Sequence, residues 1–260
     1  MNKPLISVII PATKEKIDIF KKCLGKLTWA DEIIVINNGI SSEMKSLLSG
    51  AGAKIYPSDN PNFAERKNLG AQKATGKWLL FIDTDEVLED GLIKEIKSVI
   101  KSNSSKGAYE ILRRNVFLGH EMKHGGWAPD YTLRLIKKES LVSWKGVLHE
   151  QPQIKGEVGK LKGSYLHFTH QNIEEMVEKT NKWSKVEAKL LFEAGHPPMA
   201  WWRFFSVAGR EFWYRGIAKL GFLDGPIGIF EIGYQMYSRM ITYAKLWELQ
   251  VKAKNLKNKN

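Results

Sequence analysis

The sequence predicts an α/β fold, a mostly parallel sheet flanked by helices, followed by a C-terminal amphipathic helical segment. Three observations carry this expectation. Short apolar, β-branched runs alternate with helical spacing over the first hundred residues, the rhythm then turns antiparallel, and after Pro197-Pro198 aromatic and basic residues take over.

Leu5–Ile10 (LISVII), ended by Pro11, reads as a buried strand. Ile17, Phe20, Leu24 and Leu27 then fall at helical spacing, and Glu32–Ile36 (EIIVI) is a second strand closed by Asn37, Asn38 and Gly39. A helix from Ser42 to Leu48, a strand at Lys54–Tyr56, a helix over Asn62–Ala74 and a strand at Trp78–Ile82 continue the alternation, which implies right-handed crossovers. Beyond a helix at Gly91–Ser102, the strands Ala108–Phe117 and Tyr131–Lys137 have no helix between them, only a Gly-rich loop. They predict an added antiparallel portion, joined by a strand at Tyr165–Phe168. A long helix, Asn172–Ala194, stops before Pro197-Pro198, which sets the expected boundary: a catalytic domain over 1–196 and a helical segment over 197–260.

The 260 residues are 43% hydrophobic, enough for a substantial core, which excludes a wholly disordered chain. A single cysteine, Cys23, permits no internal disulfide, and the start lacks the pattern of a signal peptide, so a reducing cytoplasmic location is expected. No uncharged stretch reaches the length of a spanning helix. The net charge is +12, and residues 197–260 carry half of it, with 10 basic and 4 acidic side chains. The same segment holds 13 of the 28 aromatic residues, a mixture suited to an anionic membrane surface.

In open α/β sheets ligands bind at the carboxyl ends of the strands, which here carry Pro11–Glu15, Asn37–Gly39 and Asp83–Glu86. Asp83 and Asp85 are two apart, so in extended backbone their carboxylates project to one side, where a divalent cation bridging phosphates can be held. A pair of turn-forming aspartates, with Asp85 capping a helix, is the structural alternative.

The run FAERKNLGAQKATG (Phe63–Gly76) followed by WLLFIDTDE resembles the segment that precedes the metal-binding Asp-x-Asp of family 2 inverting glycosyltransferases. Gly125-Gly126-Trp127-Ala128-Pro129-Asp130, Leu133-Arg134-Leu135 and Leu148-His149-Glu150 extend the resemblance to a bacterial subgroup that includes β-glucosyltransferases of lipopolysaccharide core assembly. It covers Leu5 to Ala194, and Gly221-Phe222-Leu223-Asp224-Gly225 is also similar to this subgroup.

The resemblance implies a GT-A fold, a nucleotide-sugar donor such as a UDP-sugar, and Mg²⁺ or Mn²⁺. Asp83, with Thr84 beside it, is expected at the donor ribose, Asp85 at the cation and His149 in the metal shell. Gly125, Gly126 and Trp127 form the expected acceptor loop, and Asp130 is the expected general base, with Glu150 its competitor. Pro11, Ala12, Thr13 and Glu15 match the strand exit that cups the donor base, although Glu15 with Lys14 also reads as a solvated ion pair. Where the family commonly has an Asp for the base, this chain has Asn37-Asn38, whose amides still hydrogen-bond an imide edge. Arg66 and Asn68 on the third helix, and Arg134, complete the donor set; Arg66 and Lys67 also read as helix-surface charges and Arg134 as a strand-edge charge.

The expected acceptor is a lipid-linked or envelope glycan, met at the inner face of the cell membrane. The face that Trp201, Phe205, Ala208 and Phe212 share at helical spacing is expected to dock there, or else to pack internally or form a homodimer. A nucleotidyltransferase is the nearest enzyme alternative, but PATKE (Pro11–Glu15) lacks that class's Gly-rich loop. A nucleic-acid-binding protein would suit the charge, yet no nucleic-acid module is legible. A catalytically inactive carbohydrate-binding relative is opposed by the intact Asp83, Asp85 and Asp130.

Overall fold

The computed structural model describes residues 5–13, 17–102, 104–147 and 150–257. In chain order the elements are β1 (Ile6–Ala12), α1 (Ile17–Gly25), β2 (Glu32–Asn37), α2 (Ser42–Gly50), β3 (Lys54–Pro57), α3 (Phe63–Lys73), β4 (Trp78–Phe81), β5 (Glu86–Leu88) and α4 (Asp90–Lys101). Then come β6 (Ala108–Phe117), β7 (His120–Glu121), β8 (Asp130–Lys137), β9 (Leu141–Lys145), β10 (Gln151–Ile154), β11 (Val158–His170), α5 (Ile173–Glu193), α6 (Trp201–Glu211) and α7 (Gly225–Lys257). The chain forms two compact units, residues 1–114 with 130–169, and residues 115–129 with 170–260. The expected break at Pro197-Pro198 falls inside the second unit, between α5 and α6.

The first unit is built on a sheet of order β3-β2-β1-β4-β8-β6-β11-β5. β3, β2, β1 and β4 pair in parallel, while β4 with β8, β8 with β6, and β11 with β5 pair antiparallel. The parallel part is therefore four strands, a smaller share than the sequence predicts, because the later strands are joined without crossover helices. β5, β7, β9 and β10 are short and were not expected; two to five residues carry too little periodicity to announce a strand.

Every residue of β1 is buried, as a strand covered on both faces requires. β1 runs through Pro11 to Ala12 and does not stop at the proline. β4 pairs with β1 only as far as Ile9, so on that side Pro11 has no ladder bond to lose. Alternate side chains feed two cores. Val8 and Ile10 join Phe20, Leu24, Met44 and Ile96 from α1, α2 and α4, while Ile9, Ile34 and Phe81 meet Ala64 of α3 and Trp144 of β9. Gly70 lets α3 lie close on the sheet, since a Cβ there would run into Ile9.

A polar knot fixes the start of this sheet. The buried Glu32 carboxylate accepts from the Ser7 hydroxyl, the Thr75 backbone N–H (2.9 Å) and the Thr75 hydroxyl (3.1 Å), and pairs with Lys54 at 2.8 Å. The Gly76 N–H in turn donates to Ser7 Oγ at 2.9 Å. Burial alone would raise the Glu32 pKa, but the bonds from Lys54, Ser7 and Thr75 pull it from 4.5 to about 2.

In the second unit α5 and α7 are tied by Arg239 on Glu187 and by Lys245 on Asn181 (2.7 Å) and Ser184 (2.8 Å). Phe117, Met122 and Met176 form a small core with Trp127, Ile227 and Tyr234 against it. The helix expected over Trp201–Tyr214 ends at Glu211 and passes into a π-helical stretch, Phe212–Ala218. Its expected apolar face divides: Ala208 is buried with Val207, whereas Trp201, Phe205 and Phe212 are exposed. The interrupted apolar run beyond Ile217 resolves into one helix from Gly225, because Pro226 lies in the first turn, where no intrahelical N–H bond is lost.

Glu32→Gln is expected to lower stability at pH 7 by about 1–3 kcal/mol. A group whose folded pKa is depressed stabilises above its unfolded pKa and loses that stability as pH falls through the folded value. The gap between wild type and variant in urea midpoint should therefore close between pH 4.5 and about 2. A pH-independent gap over that interval contradicts this role.

Candidate active site

β4 ends at Phe81, and the chain that leaves it alternates in exposure: Thr84 and Glu86 are buried, Asp83 and Asp85 partly open. The Glu86 N–H donates to the Asp83 carbonyl at 3.1 Å, so the two aspartates sit in a tight turn and not on the extended backbone that the spacing assumes. Asp83 stands among buried charges. Arg134 Nη2 donates to Asp83 Oδ2 at 3.0 Å and also to Glu86, the Asp83 N–H donates to Glu86 Oε2 at 2.9 Å, and Lys67 Nζ lies 3.7 Å from Asp83 Oδ1. Lys67 also binds Glu150 at 2.7 Å and sits over the Trp144 ring. Tyr165 accepts from Arg134 Nε at 3.2 Å, and its hydroxyl is 2.6 Å from that of Thr132.

Burial would raise the Asp83 carboxyl, but Lys67 and Arg134 outweigh it and hold the pKa well below the usual range. For Glu86 burial wins, with Asp83 adding to it against Arg134, and the pKa is raised. Burial would lower the Arg134 pKa, yet its anionic neighbours lift it well above the ordinary value.

A cleft of about 370 Å³ in the first unit is lined by Lys67, Asp83, Asp130, Arg134, Trp144 and Glu150, among others. Asp130 opens β8, directly opposite Arg113 of β6, whose Nε donates to Asp130 Oδ2 at 2.7 Å. The candidate bases Asp130 and Glu150 and the ribose candidate Asp83 therefore share one cavity.

The remaining predicted residues separate by what their side chains do. Pro11 and Ala12 are buried at the end of β1, with Thr13 after them, and Arg66 reaches the Ala12 carbonyl at 3.4 Å while lying over Phe63. Arg66 and Lys67 are both buried, not surface charges, because α3 turns that flank toward the strand ends. Arg134 belongs to a central strand, which corrects the strand-edge reading, and its guanidinium pairs with Asp83 and Glu86. Asn68 accepts from the Trp144 N–H at 2.7 Å and donates to its carbonyl at 3.0 Å, so it fastens α3 to β9. Asn37 Oδ1 accepts from Ile40 N at 2.9 Å, and Asn38 donates to Ser58 O at 2.7 Å, so both amides partly serve their own turn. Glu15 and His149 lie outside the described residues.

His167 was missed. The antiparallel register of β11 on β5 pairs His167 with Glu86 and brings its Nε2 to 3.6 Å from Asp85 Oδ2. The available signal was a histidine in a predicted strand, but nothing local says which strand it will flank. Among the described residues no group of three or more His, Cys, Asp or Glu forms a metal cage. Asp85 and His167 nevertheless offer oxygen and imidazole donors, and buried Asp83 Oδ1 accepts no hydrogen bond among the described residues. Such a partial set fits a Mg²⁺ or Mn²⁺ ion completed by substrate phosphates and water.

In the second unit Gly125 and Gly126 adopt φ of +65° and +85°, and the Trp127 carbonyl accepts from Asn115 Nδ2 at 3.2 Å.

The sequence model of glycosyl transferase family 2 matches residues 7–144. An uncharacterised glycosyltransferase of Rickettsia typhi is 26% identical over 271 residues, covering 96% of this chain and 89% of its own. The lipopolysaccharide core biosynthesis glycosyltransferase LpsC of Rhizobium meliloti is 26% identical over 216 residues, covering 78% and 76%. Among solved structures, S. aureus TarS 1-349 in complex with UDP-GlcNAc aligns with a TM-score of 0.48 at 12% identity, over 96% of this chain and 92% of that one. With more than half of its length matched by the family's model, the chain belongs to glycosyl transferase family 2.

Proposed function

We propose that the protein transfers a sugar, with inversion and metal assistance, from a UDP-sugar to a hydroxyl of a lipid-linked or cell-envelope glycan. One observation carries this reading: a single cleft holds a strand-end Asp83 kept anionic by buried cations and, with it, the two carboxylates Asp130 and Glu150. Asp83 accepts from the donor ribose, and the exit of β1 with Asn37 and Asn38 faces the base. Asp85 and His167 would hold the cation, which when bound stabilises charge on the departing diphosphate. Asp130, oriented by Arg113, takes the acceptor proton as the hydroxyl oxygen attacks the anomeric carbon, and the bond to UDP breaks on the opposite face. The name of the 26% identical LpsC supports a lipopolysaccharide-type acceptor.

The acceptor's location gives the second unit a task. No helix among the described residues is long and apolar enough to cross a membrane. Yet Trp201, Phe205 and Trp213 are 76%, 69% and 64% exposed, with Arg203, Arg210 and Lys219 in the same stretch. Aromatic rings among cations complement an anionic lipid surface, so this stretch docks the enzyme at the inner face of the membrane.

The test uses a panel of radiolabelled UDP-sugars with an envelope glycolipid extract as acceptor. Labelled glycolipid of inverted anomeric configuration is expected, and Asp130→Asn should cut kcat by about 10²–10⁴ while UDP affinity stays within about twofold. A comparable loss in Glu150→Gln, with Asp130→Asn active, moves the base to Glu150; no transfer from any UDP-sugar overturns the reading. Separately, Trp201→Ser with Phe205→Ser should abolish sedimentation with phosphatidylglycerol vesicles but leave neutral vesicles unaffected. Unchanged sedimentation contradicts lipid docking.

A further inference from the structure

The loop Lys123–Trp127 is held within the second unit by groups that no step of the transfer uses. Asp224 is buried; its Oδ2 accepts from the backbone N–H of Lys123 at 3.0 Å and of His124 at 2.9 Å, and its Oδ1 lies 2.8 Å from His124 Nδ1. Gly125 is gripped at both ends: its N–H donates to Lys219 O at 2.8 Å, and its carbonyl accepts from Arg215 at 3.0 Å. Arg215 is itself paired with Glu211 at 3.1 Å. A Cβ on Gly221 would stand 3.1 Å from Gly125 Cα and 2.7 Å from Arg215 O, so only glycine admits this approach of backbones.

These bonds account for the Gly221–Gly225 run as a device. Gly221 lets the segment touch the loop, and Asp224 supplies the acceptor for its amides. Burying a carboxylate against two backbone donors is costly to arrange and strong once made. The loop it restrains contains adjacent glycines at positive φ, the kind of chain that otherwise samples many conformations. Three residues after Trp127 the chain reaches Asp130, the candidate base.

We propose that Asp224, assisted by Arg215, is a positioning residue for acceptor recognition: it locks Lys123–Trp127 into the one conformation that receives the acceptor. This rests on the reading of that loop as the acceptor loop.

The test compares wild type with Asp224→Ala, which removes the acceptor of both loop amides, and with Gly221→Ala, which wedges the same contact by a different route. Hydrogen exchange at Lys123–Gly125 should quicken by about tenfold or more, with α5 amides unchanged as the folding control. UDP affinity should stay within about twofold, and the glycolipid extract needed for half-maximal transfer should rise by about tenfold with the maximal rate nearly kept. Unchanged loop exchange overturns the clamp, and faster exchange with an unchanged extract requirement overturns its role in acceptor recognition. Failure of the wild type to bind UDP would instead defeat the UDP-sugar reading, which the exchange measurement does not depend on.

Discussion

Charges stripped of water hold the end of β4 in place. Arg134 bridges Asp83 and Glu86, and Lys67 lies between Asp83 and Glu150. A buried ion cluster is seldom a source of net stability compared with a well-packed apolar core, whereas removal of one partner from such a cluster costs about 3–5 kcal/mol. Its consequence is positional. Asp83 is kept as an anion at the mouth of a cleft, and the strand that carries it cannot shift without breaking ionic contacts to α3, β5 and β8 together. The Glu32 knot does the same work at the opposite end of these strands, on Ser7 and Thr75.

The second unit shows the same economy in a different form. Helices α5 and α7 fasten to each other through Arg239 and Lys245, and the segment before α7 fastens the Gly125 loop through Asp224 and Arg215. Exposed aromatics are left over from this packing.

The parallel half of the sheet was legible because its strands are continuous apolar runs separated by periodic helices. Asp83 and Asp85 were legible as a strand-end pair but their geometry was not, because a turn and not extended backbone carries them. What local pattern could not show was anything set by register: His167 reaches Asp85 only through the pairing of β11 with β5, and Arg113 reaches Asp130 only through that of β6 with β8. Burial of charge was equally hidden. Arg66 and Lys67 read as surface residues because solvated helix faces carry such residues far more often than cores do, and only tertiary contacts reverse that expectation. Asn68 matched a family motif yet serves the backbone of Trp144.

The most direct test of the donor site is calorimetry of UDP with and without Mn²⁺ on wild type, Asp85→Asn and His167→Gln. The account predicts that Mn²⁺ tightens UDP binding by about tenfold or more in wild type, and that each substitution removes most of that gain while metal-free binding persists. UDP affinity that ignores Mn²⁺ in wild type, or a full metal effect in Asp85→Asn, would contradict the assignment of the β4 end as a metal-assisted donor site.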